Sequence, residues 1–161
     1  MGTFVFDNAK GRIAQLYYEA KNLGSPRGIV VVVIKRGANL DTDLEGFTSL
    51  SALLAAAPEV TNTNYARKVI TSTGTGAGLL GALTYDSTHH WMPCDIPDQQ
   101  WGSFGVWVGS GDVWTDAVFC YAPDTAGADS TLIPLTCHDF PAHPDGGSAI
   151  VLPVSNFYQA A

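Results

Sequence analysis

Two short segments carry side chains that could bind a metal ion or take part in catalysis. They are His89, His90 and Cys94, and Cys137, His138, Asp139 and His143. Structural zinc sites use paired ligands at tight spacing, such as two C-x-x-C pairs, and neither segment has that spacing. Neighbouring residues on a strand point to opposite faces, so His89 and His90 are poorly placed to share one ion. The sequence therefore predicts no metal site and no cofactor.

Residues 76–81 match the G-x-G-x-x-G pattern of dinucleotide-binding loops. That pattern binds a pyrophosphate only when a strand precedes it and a helix follows it, because the N-terminus of the helix supplies the N–H groups and the dipole. Only residues 79–85 separate the pattern from the next turn signal, Asp86-Ser87, which is too short for such a helix. We therefore interpret 76–81 as a glycine loop.

Hydrolytic chemistry would need catalytic carboxylates or an activated nucleophile. The aspartate pairs 95/98 and 112/116 could serve a glycosidase only at the right separation, and closely spaced aspartates in turns more often bond to nearby backbone. A serine or cysteine hydrolase needs a nucleophile, a base and a carboxylate that folding brings together, and no G-x-S-x-G motif is present. We predict no catalytic residue and no enzyme, and keep a small hydrolase as an alternative.

Four tryptophans lie close together in the second half of the chain, at positions 91, 101, 107 and 114. Aromatic clusters of this kind form either a contact surface for carbohydrate or protein, or the core of a β structure. We expect most of them in the core and one or two at the surface. A carbohydrate-binding or receptor-binding module therefore stands as a second interpretation.

The first part of the chain carries the patterns of two helices and two strands. Asp7 or Asn8 can cap a helix that begins near Ala9, and Thr48 or Ser49 can cap a second helix that ends before residue 58. The β-branched run 28–35 predicts a buried strand, and 66–71 predicts another. The stripe that would pack the first helix is Ile13, Leu16, Tyr17 and Ala20.

From residue 74 onward, short alternating apolar segments are bounded by Gly, Pro, Asp or Ser, which is typical of a sandwich or barrel. These segments are 79–85, 89–96, 103–108, 115–121, 131–138 and 149–154. We predict the α+β class, with an N-terminal helix on a mainly antiparallel β-sandwich or barrel-like sheet. One domain, 1–161, would contain a helix-containing part, 1–72, and a β-rich part, 73–161.

Composition narrows the function classes. A chain of 161 residues can bury about 70% of its unfolded surface, so it needs no disulfide to fold. Its net charge of −7 argues against binding nucleic acid or an anionic membrane. The longest apolar run, Ile29 to Ile34, is too short to span a bilayer, and the N-terminal residues do not resemble a secretory signal. Three cysteines, an odd number, favour a reducing site of synthesis and no disulfide.

Charge is distributed unevenly along the chain. All eight Lys and Arg lie in residues 1–68 with six acids, which leaves +2 there, whereas residues 69–161 contain nine Asp and no basic residue, which gives −9. Such asymmetry predicts a mildly basic end and an acidic end, as in subunits that meet opposed faces in an assembly. We expect Asp-rich loops such as 124–129 to face solvent.

Several segments together resemble a family of virion structural proteins of tailed bacteriophages. The similarity runs over nearly the whole chain, in order. The segments are FDNAKGRIAQLYYEAKN with GIVVVVIK near the start, EVTNTNYARKVI at 59–70, DIPDQQW at 95–101, CYAPDTAGADSTLIPLTCHDF at 120–140, HPDGG at 143–147 and NFYQAA at the end. Residues 74–81 and the WGSFGVWVGSGDVW loop depart from the family pattern.

The resemblance implies a capsid decoration or cement protein, or a minor capsid subunit, made in the cytoplasm of a host bacterium and carried in the virion. A tail or head–tail connector subunit is an alternative. The expected partners are the major capsid protein or other virion subunits, together with further copies of this chain, and neither nucleic acid nor membrane. The candidate assembly contacts are Asn62, Asn64, Tyr65, Arg67, Lys68, Lys10 and Arg12.

Overall fold

The computed structural model describes residues 3–63, 65–83, 87–88, 92–102, 113–144, 149–154 and 157–160. At its centre is strand β2 (Gly28–Ile34), in which all seven residues are buried. This matches the prediction from the β-branched run, because a strand flanked by sheet neighbours and covered on both faces must be apolar throughout.

A five-stranded antiparallel sheet surrounds β2. In addition to β2 it contains β1 (Phe4–Val5), β3 (Lys68–Ile70), β6 (Trp114–Ala122) and β7 (Ile133–Ala142). The strand order is β1-β7-β6-β2-β3, so the long strands are central and the short ones are edges. Within the described residues the sheet is open, with no closed barrel. The predicted α+β class with a mainly antiparallel sheet is confirmed.

Two small antiparallel ladders lie outside this sheet. One joins β4 (Met92–Cys94) to β9 (Tyr158–Ala160), and the other joins β5 (Gln99–Trp101) to β8 (Ile150–Leu152). Because each partner comes from a distant part of the chain, these ladders tie the C-terminal segment to residues 92–101.

The helices are α1 (Ile13–Asn22), α2 (Asp41–Leu44) and α3 (Leu50–Ala56). Ser49 Oγ accepts a hydrogen bond from the Ala52 N–H (3.4 Å), which confirms Ser49 as a cap of α3. The predicted start of the first helix near Ala9 is wrong. Residues 7–9 form a 3-10 turn and Gly11 adopts a φ of 76°, so the chain leaves the helical conformation before α1 begins.

Several strand predictions need correction. Residues 79–83 form no strand beyond a parallel bridge between Leu79 and Thr71, because the chain turns tightly just before them. The predicted strand 103–108 lies outside the described residues. The alternating pattern did not reveal the short elements β1, β5, β9 and α2, since strands of two or three residues have too few positions to show a period.

A single cluster of buried apolar side chains draws on both parts of the chain. The predicted stripe of α1 is fully buried, and α1 packs against β2 and β6. Trp101 and Trp114 belong to this core, whereas Trp91 and Trp107 lie outside the described residues. In the part of the chain that the structure describes, no helix has the length and apolar character needed to cross a bilayer.

Candidate functional site

Most of the candidate contacts lie in the segment 59–70. Its first residues bond to the end of β2, and its last residues pair with β2 as strand β3. Glu59 forms an antiparallel bridge with Ile34, and the N–H of Val60 donates to the carbonyl of Val33 (3.1 Å). The segment then turns and re-enters the sheet as β3. Both ends of the segment are therefore bonded to the buried central strand.

Two of the candidate contacts, Tyr65 and Arg67, form a polar cluster with Glu59 and Asp129. We call these four residues the Arg67 cluster. Arg67 donates from Nε to Glu59 Oε1 (2.9 Å) and from Nη2 to Asp129 Oδ2 (2.9 Å). The Tyr65 hydroxyl donates to Glu59 Oε1 (2.9 Å) and accepts from the N–H of Val33 (2.9 Å). Asp129 lies in a 3-10 turn between β6 and β7, so the cluster fastens that connection to the segment 59–70.

In the Arg67 cluster the surroundings favour the charged forms of Arg67 and Asp129 and the neutral form of Tyr65. Hydrogen bonds to Asp129 and Glu59 outweigh the effect of burial and raise the pKa of the Arg67 guanidinium. The hydrogen bond from Arg67 lowers the pKa of the Asp129 carboxyl. Burial raises the pKa of the Tyr65 hydroxyl, which therefore stays protonated as a donor. The expectation that the 124–129 loop faces solvent holds for Asp124, which is exposed, but is wrong for Asp129, which pairs with Arg67.

Asn62 and Tyr65 also hold the tryptophan pair of the core. Trp114 Nε1 donates to Asn62 Oδ1 (2.7 Å), and the Tyr65 ring meets Trp114 edge-on at 5.8 Å between centroids. Trp101 lies 5.4 Å from Trp114 and donates from Nε1 to the carbonyl of Ala66 (2.8 Å). With their indole N–H groups bonded and their rings buried, Trp101 and Trp114 offer no flat face to a sugar.

The basic candidates differ in what they contact. Lys10 pairs with Asp7 (2.6 Å) and Glu45 (3.8 Å), and the bond to Asp7 raises the pKa of its ammonium. Arg12 is exposed at the start of α1. Lys68 Nζ lies 5.4 Å from the centroid of the Trp101 ring, and no described carboxylate is within ion-pair distance of it.

The structure brings some of the seven candidates together. Tyr65 and Arg67 share Glu59, and Asn62 joins them through Trp114, whereas Lys10 and Arg12 belong to the separate region before α1. Asn64 lies outside the described residues. Arg67 bonds to Glu59 and Asp129 of its own chain, and its contact with a neighbouring subunit stays a prediction.

The sequence analysis missed a buried ion pair between Arg36, two residues after β2, and Asp116 on β6. Arg36 is fully buried and donates from Nε to Asp116 Oδ2 on β6 (3.0 Å); it also bonds to Asp41 at the start of α2 and reaches Cys137 Sγ on β7 (3.5 Å). Burial lowers the pKa of the guanidinium, and the bonds to Asp116 and Asp41 more than offset that effect. The sequence contains two signals for this pair. An arginine lies two positions after the buried apolar run, and an aspartate lies inside a strand pattern.

The candidate metal ligands and nucleophiles are dispersed. Cys137 faces Arg36, whereas the next residue, His138, packs against Phe119 and Phe157 on the other face of β7. Asp139 and His143 are exposed, and His89 and His90 lie outside the described residues. Among the residues described, no three His, Cys, Asp or Glu side chains gather as metal ligands would.

All three thiols are buried and free. Burial raises the pKa of the Cys94 thiol to about 11 and raises those of Cys120 and Cys137 further. The thiolate is the reactive form of cysteine, so these side chains are held in their unreactive form at neutral pH. Burial likewise lowers the pKa of His138, which favours its neutral form.

The glycine loop forms a tight turn beside β3. A side-chain carbon at Gly74 would lie 1.8 Å from the Gly78 carbonyl oxygen, and Gly76 has a φ of 54°. Between this turn, β3 and β5 lies a cleft of about 190 Å³. It is lined by Lys68, Val69, Thr75, Ala77, Gly78, Gln99 and Gln100.

Comparison of the chain with protein-family models, with curated proteins and with solved structures found no match.

Proposed function

We propose that this chain is a structural subunit of a tailed-bacteriophage virion, a capsid decoration or minor capsid protein that binds the assembled particle. One observation carries the proposal: the segments that resemble that family meet in the fold. Glu59 and Arg67, from the segment 59–70, bond to Asp129, from the segment 120–140. Residues of two segments that resemble the family therefore bond to each other in the folded chain. This supports a similarity of fold as well as of sequence.

The internal contacts suit a subunit that must keep its shape in an assembly. The Arg67 cluster and the Arg36–Asp116 pair each join segments that are more than 50 positions apart in the chain. Networks of this kind favour one arrangement of the backbone over others, because any rearrangement would leave a charge without its partner. A rigid domain loses little conformational entropy when it binds, which favours tight association.

Affinity for a particle would come chiefly from apolar burial, since exposed ion pairs contribute only about 0–1 kcal/mol each. Several large apolar side chains are available for it. Those exposed in the described residues are Tyr18, Leu23, Leu40, Val69, Leu79, Val113 and Val151. Charge would then set orientation and association rate, with the acidic surface meeting a basic neighbour.

The experiment that tests this proposal uses phage particles from a host that carries the sequence. Particles are banded by density, heads are separated from tails, and the chain is quantified by mass spectrometry against the major capsid protein. We expect the chain in the head fraction at a fixed ratio to that protein, with further copies of it as neighbours. Its presence only in tails would replace the decoration role by the tail or connector role, and its absence from both fractions would overturn the virion role.

A further inference from the structure

The cleft beside β3 exposes a strand edge. Alternate residues of a strand turn their N–H and C=O groups to opposite sides. Thr71 turns both groups away from β2, since its N–H donates to the Gly78 carbonyl (2.9 Å) and its carbonyl accepts from Leu80 (3.0 Å). Val69, two residues earlier, therefore turns its N–H and C=O to the same side, into the cleft that it lines.

The cleft occupies the place of a missing strand. The pairing of Thr71 with Leu79 begins a parallel ladder on the outer edge of β3. It stops there because the chain turns back in the 3-10 turn Gly76–Gly78. Lys21 donates to the carbonyl of Leu80 (2.6 Å), so the paired segment is also fastened to α1. Opposite Val69 the ladder is not continued. Gly78 lies beside the Val69 carbonyl, where a Cβ at Gly78 would be 3.5 Å from the carbonyl oxygen, and the cleft opens next to it.

The opposite wall of the cleft is held in place. Gln99 is buried, and its amide nitrogen donates to the carbonyls of Ala77 (2.9 Å) and Pro97 (2.6 Å). Gln100, its exposed neighbour on β5, also lines the cleft. The opening is thus bounded by an edge strand on one side and a bonded polar wall on the other.

Side chains at the cleft combine one cation with apolar surface. Lys68 sits over the Trp101 ring, with no described carboxylate in ion-pair distance. Val69 is 45% exposed, and Leu79 beside it is exposed as well. An ammonium that has no carboxylate partner among the described residues, next to a strand edge, attracts an acidic group.

We propose that this cleft docks an extended, acidic peptide segment of a partner protein, which adds to the outer edge of β3. A backbone carbonyl of the segment accepts a hydrogen bond from the N–H of Val69, and a carboxylate of the segment meets Lys68. Strand addition of this kind takes affinity from main-chain hydrogen bonds and specificity from the side chains at the edge. The proposal does not rest on the virion role, because any partner with such a segment would satisfy it.

The test is a titration of the full chain, labelled with ¹⁵N, followed by NMR. The probe is a seven-residue peptide of alternating valine and aspartate with threonine ends, and its counterpart has lysine in place of aspartate. We expect the acidic peptide to shift the amide signals of Val69, Gly78 and Gln100. We expect the lysine peptide to need at least a tenfold higher concentration for the same shifts. Equal responses to both peptides, or no response up to about 10 mM, would overturn the proposal.

Variants separate the edge from the charge. Val69→Pro removes an N–H that faces the cleft and not β2, so we expect the fold to persist and the peptide shifts at Gly78 and Gln100 to disappear. Its matched control, Val69→Ala, keeps the N–H and should bind within about threefold of the wild type. Lys68→Gln should weaken binding about threefold or more, and Arg12→Gln should leave it unchanged.

Two further results would contradict the inference. Retention of wild-type binding in a folded Val69→Pro variant would show that the strand edge is not used. Movement of the same amide signals on raising the protein concentration without peptide would show that a second copy of this chain occupies the cleft instead.

Discussion

Arg67 and Asp129 lie 62 positions apart in the chain and form a two-bond ion pair, with 2.9 Å between Nη2 and Oδ2 and a second bond from Nη1 to Oδ1. Paired bonds of this geometry are stronger and more directional than a single contact. The pair also bears on the uneven distribution of charge along the chain. A cation of the basic first part is paired with an acid of the second part, so Arg67 and Asp129 do not add to the charge difference between the two ends of the sequence.

The Arg67 cluster should contribute measurably to stability. Arg67→Met leaves the Glu59 and Asp129 carboxylates without their shared cation, and we expect the free energy of unfolding to fall by about 1–2 kcal/mol, since the pair is partly exposed. Urea denaturation measures the change. Arg12→Met, at an exposed arginine before α1, is the control and should stay within about 0.5 kcal/mol of the wild type. Equal losses in the two variants would contradict this role of Arg67.

The contribution of Asp129 should depend on pH. Its pKa in the folded chain is below its ordinary value of 3.8, so the unfolded chain takes up a proton first as the pH falls. The stabilisation is complete above that value and is lost as the pH drops through the folded pKa. We therefore expect the stability difference between wild type and Asp129→Asn to be largest near neutral pH and to shrink below about pH 4.

Urea denaturation at several pH values checks this dependence. Asp139→Asn, at an exposed position of β7, serves as the comparison and should change stability by less than about 0.5 kcal/mol throughout. A stability difference for Asp129→Asn that stays constant from neutral pH to pH 3 would refute the assignment.

The buried Arg36 should be far more sensitive. Arg36→Met removes the cation and leaves the Asp116 carboxylate buried without it, which we expect to cost about 3–5 kcal/mol. The double variant Arg36→Met, Asp116→Leu removes both charges and should recover a large part of that loss. Thermal and urea unfolding of both variants measure it. If the double variant is less stable than the single one, uncompensated charge is not the cause.

The thiols should resist modification in the native chain. Because burial raises the pKa of all three, including Cys94 to about 11, little thiolate forms at pH 8. We expect Ellman's reagent to react at least about 100-fold more slowly than with free cysteine. All three thiols should titrate in denaturing guanidinium without a reductant. A single thiol that reacts rapidly in the folded chain would instead point to an accessible nucleophile.

The glycine turn offers a matched pair of substitutions. A methyl group at Gly74 would collide with the Gly78 carbonyl, whereas one at Gly46 would meet no atom within 4 Å. We expect Gly74→Ala to lower the free energy of unfolding by about 1–3 kcal/mol, and Gly46→Ala to change it by less than about 0.5 kcal/mol. Denaturation curves for both variants would decide. Similar behaviour of the two would mean that the turn adapts without cost.

The sequence by itself determined the elements whose signals are local. The β-branched run 28–34 has few alternatives to a buried strand, and Ser49 with the apolar residues after it defines α3. The antiparallel α+β class followed from the sum of such segments. The start of α1 was misplaced because the left-handed conformation of Gly11, a single residue, overrides the capping pattern before it.

Only the tertiary structure decided what the polar residues do. Arg36 with Asp116 and Arg67 with Asp129 are partners across 80 and 62 positions, and no local spacing encodes such pairs. The cleft beside Val69 likewise depends on where β5 and the glycine turn lie relative to β3. Periodicity reports which face of an element is apolar, whereas a polar group's partner is set by which distant segments the packed core brings together.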